Sequence, residues 1–486
     1  MGNSMILVPM IIYLVVMLGI AVYTSKIAQG AKGGFIEEYF IGGRSMGGFV
    51  LAMTIIATFA SASSFVGGPG VAFTRGLGWV FLAMIQVPTA FLTLGVLGKK
   101  FAIIARKIDA VTVTDFLRAR YKSDAVVILA SIAILAFFAA TMVAQFIGGA
   151  RLFQAVTGYS YVMGLAIFGI VVVIYTTVGG FRAVALTDAI QGVVMIFATI
   201  FLLFAVIKAG GGMESIIDTI TVSNPGALEP TAGGTISKPY ILSFWILVGL
   251  GILGLPQTTV RGMGFKDSKS LHNAMIIGTF VVGFLMLGMH LVGFLGQAVL
   301  TEGIENSDLV IPTLTIQVLH PVLAGIFIAG PLAAIMSTVD SMLILASAAI
   351  VKDLFMHYSK SEMKEQTLTR LSFITTGILG IVVFIFSINP PSLIVWVNLF
   401  AFGGLEAAFL CPTIFGLYWK KANATGAILS MIGGVGVYFY YTISGVNYIG
   451  MNQIVPTIVI AIILFVIGSY IGKKPDKETI ELFYGE

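Results

Sequence analysis

Charge is scarce in this chain. Only 10% of its 486 residues are Asp, Glu, Lys or Arg, and 58% are hydrophobic. Water-soluble domains carry about 25% charged residues, so a surface lying wholly in water is excluded. Cys411 is the single cysteine, which rules out an intramolecular disulfide framework and a thiolate metal cluster. Short strands of alternating polarity are missing, and with them the case for a membrane β-barrel. No GxxxxGK[ST] string occurs, which argues against an ATP-driven pump. No His, Cys and carboxylate residues cluster at catalytic spacing, so no enzyme is expected. The opening Met1-Gly2-Asn3-Ser4-Met5-Ile6 has no basic stretch, so the first apolar run reads as a retained span and not a cleaved signal.

What the chain has in abundance is apolar runs long enough to cross a hydrocarbon core of about 30 Å as helices. Thirteen are expected, with loose boundaries: 5–24, 48–72, 76–98, 125–147, 158–178, 188–208, 239–260, 272–298, 322–351, 371–389, 391–418, 424–444 and 453–472. We number them as spans one to thirteen. With the N-terminus outside, all the 27 basic residues except Arg75, Arg151, Lys208 and Lys238 fall in cytosolic connections. This is the bias expected of a multi-pass protein of the cell (inner) membrane, with its C-terminus in the cytoplasm. The net charge of +5 is then a topology signal, and neither nucleic acid nor an obligate protein partner is implied.

No stretch reads as a soluble domain. The connection 99–124 carries Phe101, Ile104, Ile108, Val111, Phe116 and Leu117 among its cations and is expected to lie on anionic lipid. Residues Lys473 to Glu486 read as a short solvated tail.

Two spans carry helix-breaking residues. Span two holds Gly67-Gly68-Pro69-Gly70 after Ala60-Ser61-Ala62-Ser63-Ser64, and span seven holds Gly249 to Gln257 around Pro256. Such interruptions in matching positions of two halves point to a transporter binding site, although membrane helices carry Gly and Pro for other reasons too. Their separation by five spans suggests inverted five-helix repeats: 48–208 and 239–418, preceded by a first helix and loop (1–47) and followed by two accessory helices and a tail (424–486). A hard cation such as Na⁺ takes oxygen ligands. The carbonyls of Ala57 and Ala60 before the break offer them, as do the Ala334 carbonyl and the Ser337 and Thr338 hydroxyls on span nine. Local bonding of the two hydroxyls to the preceding turn is the plain alternative.

The segment Gly158 to Ala183, ending Tyr175-Thr-Thr-Val-Gly-Gly-Phe-Arg-Ala183, resembles the first signature of the sodium:solute symporter family. Gly416-Leu-Tyr-Trp-Lys-Lys421, with the glycine-rich run to Gly436, resembles the second. The likeness extends over most of the chain, through Gly42-Gly-Arg-Ser-Met-Gly-Gly48, Ser61 to Gly70, Gln145 to Leu152, Ala333 to Thr338 and Asn398 to Glu406. The resemblance implies an all-helical, inverted-repeat, broken-helix transporter that couples Na⁺ entry to uptake of a small organic acid, with pantothenate the first expectation. Another carboxylate, or an amino acid such as proline, is the alternative within the family; a sensor or channel on the same fold is the alternative outside it. By motif position the Na⁺ ligands would be Ala57, Ala60, Ala334, Ser337 and Thr338. Asp188 matches a family carboxylate that could guide the leaving ion, and it could equally cap a helix.

The remaining candidates come from polar residues in apolar surroundings. For the solute they are Ser61, Ser63 and Ser64 on span two, Gln145 on span four, Trp245 and Gln257 on span seven, and Glu406 on span eleven. Packing roles are the alternative for each. Asp340 would line the ion's exit or pair locally, and His290 would be an interhelical donor, with a proton relay as the alternative. Arg151 and Arg261 flank span ends, where basic side chains snorkel, and are not expected to bind the solute.

Overall fold

The computed structural model describes residues 2–28, 46–301, 303–358, 365–446 and 450–485. The Gly42-to-Ser45 part of the glycine string and the cations Lys32, Arg44, Lys360 and Lys364 lie outside them. Backbone groups in lipid have no water to bond, so apolar runs resolve into helices. Nine helices among the described residues are long and apolar enough to cross a membrane, and ten if the bent pair Gly48–Phe59 and Ser63–Arg75 counts as one. The other three expected spans are represented by shorter apolar helices, Met5–Ile20, Tyr161–Thr177 and Lys238–Gly254, so thirteen crossings are not reached on length alone.

Spans five and six lie in one helical element, Tyr161–Ala209. It cannot run straight: the Tyr175 and Thr187 hydroxyl oxygens lie 2.6 Å apart, whereas twelve residues of straight helix rise about 18 Å. Arg182 sits in this bend, with its side chain outside the described ones.

Spans nine and eleven form the interior. In each, 78% of the most apolar stretch is buried within the protein, against 28% for span ten. Lipid therefore meets mainly the peripheral helices, and the polar residues of spans nine and eleven face other helices.

Two expected surface segments are instead packed against the protein. Connection 99–124 folds into helices Lys99–Lys107 and Val113–Tyr121, and Phe101, Ile104, Val111, Phe116 and Leu117 are buried in the chain's own core. The tail forms a helix, Lys477–Tyr484. Its Phe483 is buried beside Phe116, with ring centroids 5.6 Å apart, and Lys122 pairs with Asp476 at 2.9 Å and with Glu478 at 2.6 Å. The apolar face of each segment has a protein partner that local sequence does not reveal.

Candidate functional site

Span two is bent by 70° between Phe59 and Ser63. The break is not at the glycine-proline string. Ala60 leaves the helix with ψ 132°, and Gly67 to Gly70 lie in the helical half that follows, with Pro69 in the first turn of Gly68–Arg75. Partners from other spans hold the break. The Ala62 N–H donates to Gln145 Oε1 at 2.7 Å. The Ala60 carbonyl accepts from the Thr338 hydroxyl at 2.8 Å, and the Ala57 carbonyl from the Ser337 hydroxyl at 2.8 Å. The same two hydroxyls reach the Ala334 carbonyl at 3.1 and 2.9 Å. Five oxygens, three carbonyl and two hydroxyl, thus converge on one buried junction. A bare cation placed there would meet lone pairs from all five and no formal negative charge among them.

One turn further along span nine the chemistry changes. Ser341 donates to the Ser337 carbonyl at 2.7 Å and contacts the Arg261 guanidinium. Arg261 is 1% exposed. It donates to Thr58 Oγ1 at 2.9 Å and pairs with Asp188 at 3.3 Å. This corrects the reading of Arg261 as a snorkelling anchor: its counterion, 73 residues away in sequence, is brought to it by folding. Asp188 lies within a helix and caps none; it also accepts from Thr54 at 2.5 Å. Asp340 accepts from Tyr175 at 2.7 Å and from Ser341 at 3.3 Å.

A small cavity of about 30 Å³ lies beside the break, lined among others by Ser61, Ser63, Ser64, Trp79, Gln86, Phe244, His290, Asn398 and Phe402. That is room for little more than water, whereas small-molecule sites span about 300–1,000 Å³, so the cavity is closed to a solute in this conformation. Among the described residues its lining holds no Lys or Arg.

Of the expected solute residues, the three serines line this cavity and four do not. Trp245 is 48% exposed and points away, while its neighbour Phe244 points in. Gln145 is used up on the break, and Gln257 is buried outside the lining. Glu406 is buried one turn beyond Phe402, packed on Gly251 where a Cβ would collide with it. His290 bonds the Met286 carbonyl of its own helix at 2.7 Å, not another helix, and its ring reaches the cavity. Gln86 and Asn398 were missed; each is a polar residue in an apolar span, the signal that could have found them.

Span seven is broken as expected. A π turn at Trp245–Leu250 and a 3₁₀ turn at Gly251–Gly254 give way to extended Leu255, and Pro256–Arg261 restarts the helix.

The profile of the sodium:solute symporter family matches residues 39–434. The chain belongs to that family. It is 50% identical to the sodium/pantothenate symporter of Haemophilus influenzae and 47% identical to that of Escherichia coli, each over 98% of both chains. In fold it matches a Na⁺-coupled sialic acid symporter solved in a substrate-bound outward-open state, with a TM-score of 0.80, 19% identity, and coverage of 98% of this chain and 99% of that one. Na⁺ is the co-transported ion of this family.

Proposed function

We propose that the protein is a Na⁺-coupled symporter that imports pantothenate by alternating access. The observation that carries this reading is identity near one half, end to end, with two sodium/pantothenate symporters. Na⁺ would sit among the Ala57, Ala60 and Ala334 carbonyls and the Ser337 and Thr338 hydroxyls, each hydroxyl turning its proton away to offer a lone pair. Seating the ion would fix the bend of span two against span nine and so shape the cavity beside it. The carboxylate of the solute would be met there by Ser61, Ser63 and Ser64 and by the positive end of the half of span two that starts at Ser63, with Gln86, Asn398 and His290 for its hydroxyl and amide groups. Asp188 and Asp340, one turn towards the cytosolic end, would draw the ion along its exit.

We place the N-terminus outside and the C-terminus inside, and read 48–208 and 239–418 as inverted repeats. The bends in spans two and seven support that pairing. One neutral junction among the described residues and a monoanionic solute support one-to-one coupling. Such coupling moves no net charge, whereas a second Na⁺ would add about 2.3 kcal/mol per 100 mV.

The test is uptake of labelled pantothenate into proteoliposomes under an inward Na⁺ gradient, at clamped membrane potentials. Gradient-dependent uptake indifferent to voltage is expected. Na⁺-driven uptake of proline or another acid in place of pantothenate would replace the solute, and uptake indifferent to Na⁺ would sink the proposal.

A further inference from the structure

At the end of the cavity away from Asp188 and Asp340, three segments meet: the outer half of bent span two, the turn Ser307–Leu309, and the first residues of Ile394–Tyr418. They approach so closely that a Cβ on Gly70 would strike the Ser307 carbonyl, and one on Gly67 would press on Ile394 and Val395. Val395, Asn398 and Leu399 line the cavity from the same helix end, so this packing is its cover on that side.

Asp308, 2% exposed, sits at the joint. Asn306 fixes the turn by accepting the Asp308 N–H at 2.9 Å. Asp308 Oδ2 accepts the Ile394 N–H at 3.2 Å. The residue before Ile394, Leu393, gives that helix no side-chain cap, so Asp308 supplies one across 86 residues of sequence. Its Oδ1 is buried without a hydrogen-bond partner.

We propose that Asp308 is the latch of the outer gate: its carboxyl ties the start of span eleven to the turn over bent span two, and admission of solute from that side requires the tie to part. This rests on the preceding reading of the cavity as the solute site and of this face as the outer one.

The latch has a proton-linked sign. Burial lifts the Asp308 carboxyl to about 6, and the Ile394 N–H and Arg151 pull it only partly back. The ionisable groups that face it are Arg151 on span four and Tyr161 at the start of span five, whose ring carries the Arg151 guanidinium at 4.8 Å. Arg75, on the outer half of span two, is turned to the Thr235 carbonyl at 3.1 Å. The helix Val310–Val318 has no ionisable side chain, and Glu406 lies three turns along span eleven. Parting the joint wets Asp308 and returns it towards the ordinary Asp value of about 3.9. The closed form therefore binds the proton more tightly, and acid outside favours closure. From these two values, closure gains about tenfold between pH 7.5 and pH 5.

The test places Leu399→Cys in a Cys411→Ala background and measures its labelling by a membrane-impermeant thiol reagent, from outside, in right-side-out proteoliposomes. Each rate is divided by that of the same cysteine carrying Asp308→Asn at the same pH, which cancels the thiol's own titration. Asn keeps the acceptor for Ile394 and cannot ionise. The ratio should fall about tenfold from pH 7.5 to pH 5; a flat ratio overturns the latch. Asp308→Ala, checked for monodisperse elution, should label faster than the parent at both pH values, and equal or slower labelling also overturns it. Parallel vesicles holding the unsubstituted chain report Na⁺-driven pantothenate uptake. A falling ratio without uptake discards the solute and keeps the latch, whereas labelling only from the cytosolic face discards the orientation and the outer gate with it.

Discussion

Two clusters share span nine, one turn apart, and they treat positive charge in opposite ways. Around Ser337 and Thr338, five oxygens converge with no formal charge among them. Around Ser341, a guanidinium and two carboxylates are buried together, Arg261 between Asp188 and the span-nine hydroxyl, with Asp340 held by Tyr175. A cation that must leave on every cycle is better seated among dipoles, and Asp188, already paired with Arg261, can steer the leaving ion without trapping it. A cation that never leaves needs its counterion permanently, because an unpaired buried charge costs several kcal/mol. The neutral cluster suits cargo, and the charged one holds a resident.

That contrast is broken most severely on the resident side. Arg261→Met leaves Asp188 buried and uncompensated, and removal of one partner of a buried pair costs about 3–5 kcal/mol. The expected outcome is a large fall in thermal midpoint in detergent or a loss of folded protein. Adding Asp188→Asn should recover part of it, since the orphaned charge is then gone. If the single variant melts with the parent, Arg261 is not balanced by Asp188.

The cargo side should respond in function more than in stability. Ser337→Ala with Thr338→Val removes two of five oxygens while keeping volume close to native. A dipole directed at a charge contributes about 1.5–3 kcal/mol, so the pair should raise the Na⁺ concentration for half-maximal uptake by about 100-fold or more. Some stability should be lost as well, because the buried Ala57 and Ala60 carbonyls lose the hydroxyls that hold the break. Unchanged Na⁺ dependence would place the ion elsewhere.

How much of this was legible in sequence follows the range of the interactions. The five oxygens could be named because helix spacing lets Ala57 share a face with Ala60, and Ala334 with Ser337 and Thr338, and because the family resemblance ranks that set above local bonding of the hydroxyls. The solute lining could not, because it depends on which way a helix is rotated. Phe244 and Trp245 are adjacent, and about 100° of turn sends one into the cavity and the other outward. The break of span two was expected just after Ala60 and lies there, but its cause is not local. Gly67 to Gly70 look like the weak point locally, whereas partners on spans four and nine decide where the helix opens, and the glycines allow other segments to approach. Arg261 sits near the end of its apolar run, so only the folded chain shows that it is buried.

Gln145 is the smallest of these tests and the one that best separates the two clusters from their scaffold. Its Oε1 accepts the Ala62 N–H at 2.7 Å and its amide reaches the Thr141 carbonyl at 3.3 Å, so it touches neither cluster and lines no part of the cavity. Gln145→Leu fills the same space and leaves a buried N–H without an acceptor, a loss of about 1–3 kcal/mol. If the bend shapes both sites, part of that loss should appear as weaker half-saturation for Na⁺ and for solute together. The maximal rate at saturating concentrations should be affected less. Glu at 145 keeps the acceptor and should restore more of both affinities than Leu does. A variant that loses solute affinity alone would return Gln145 to the solute site, and one that loses only thermal stability would make the bend independent of its brace.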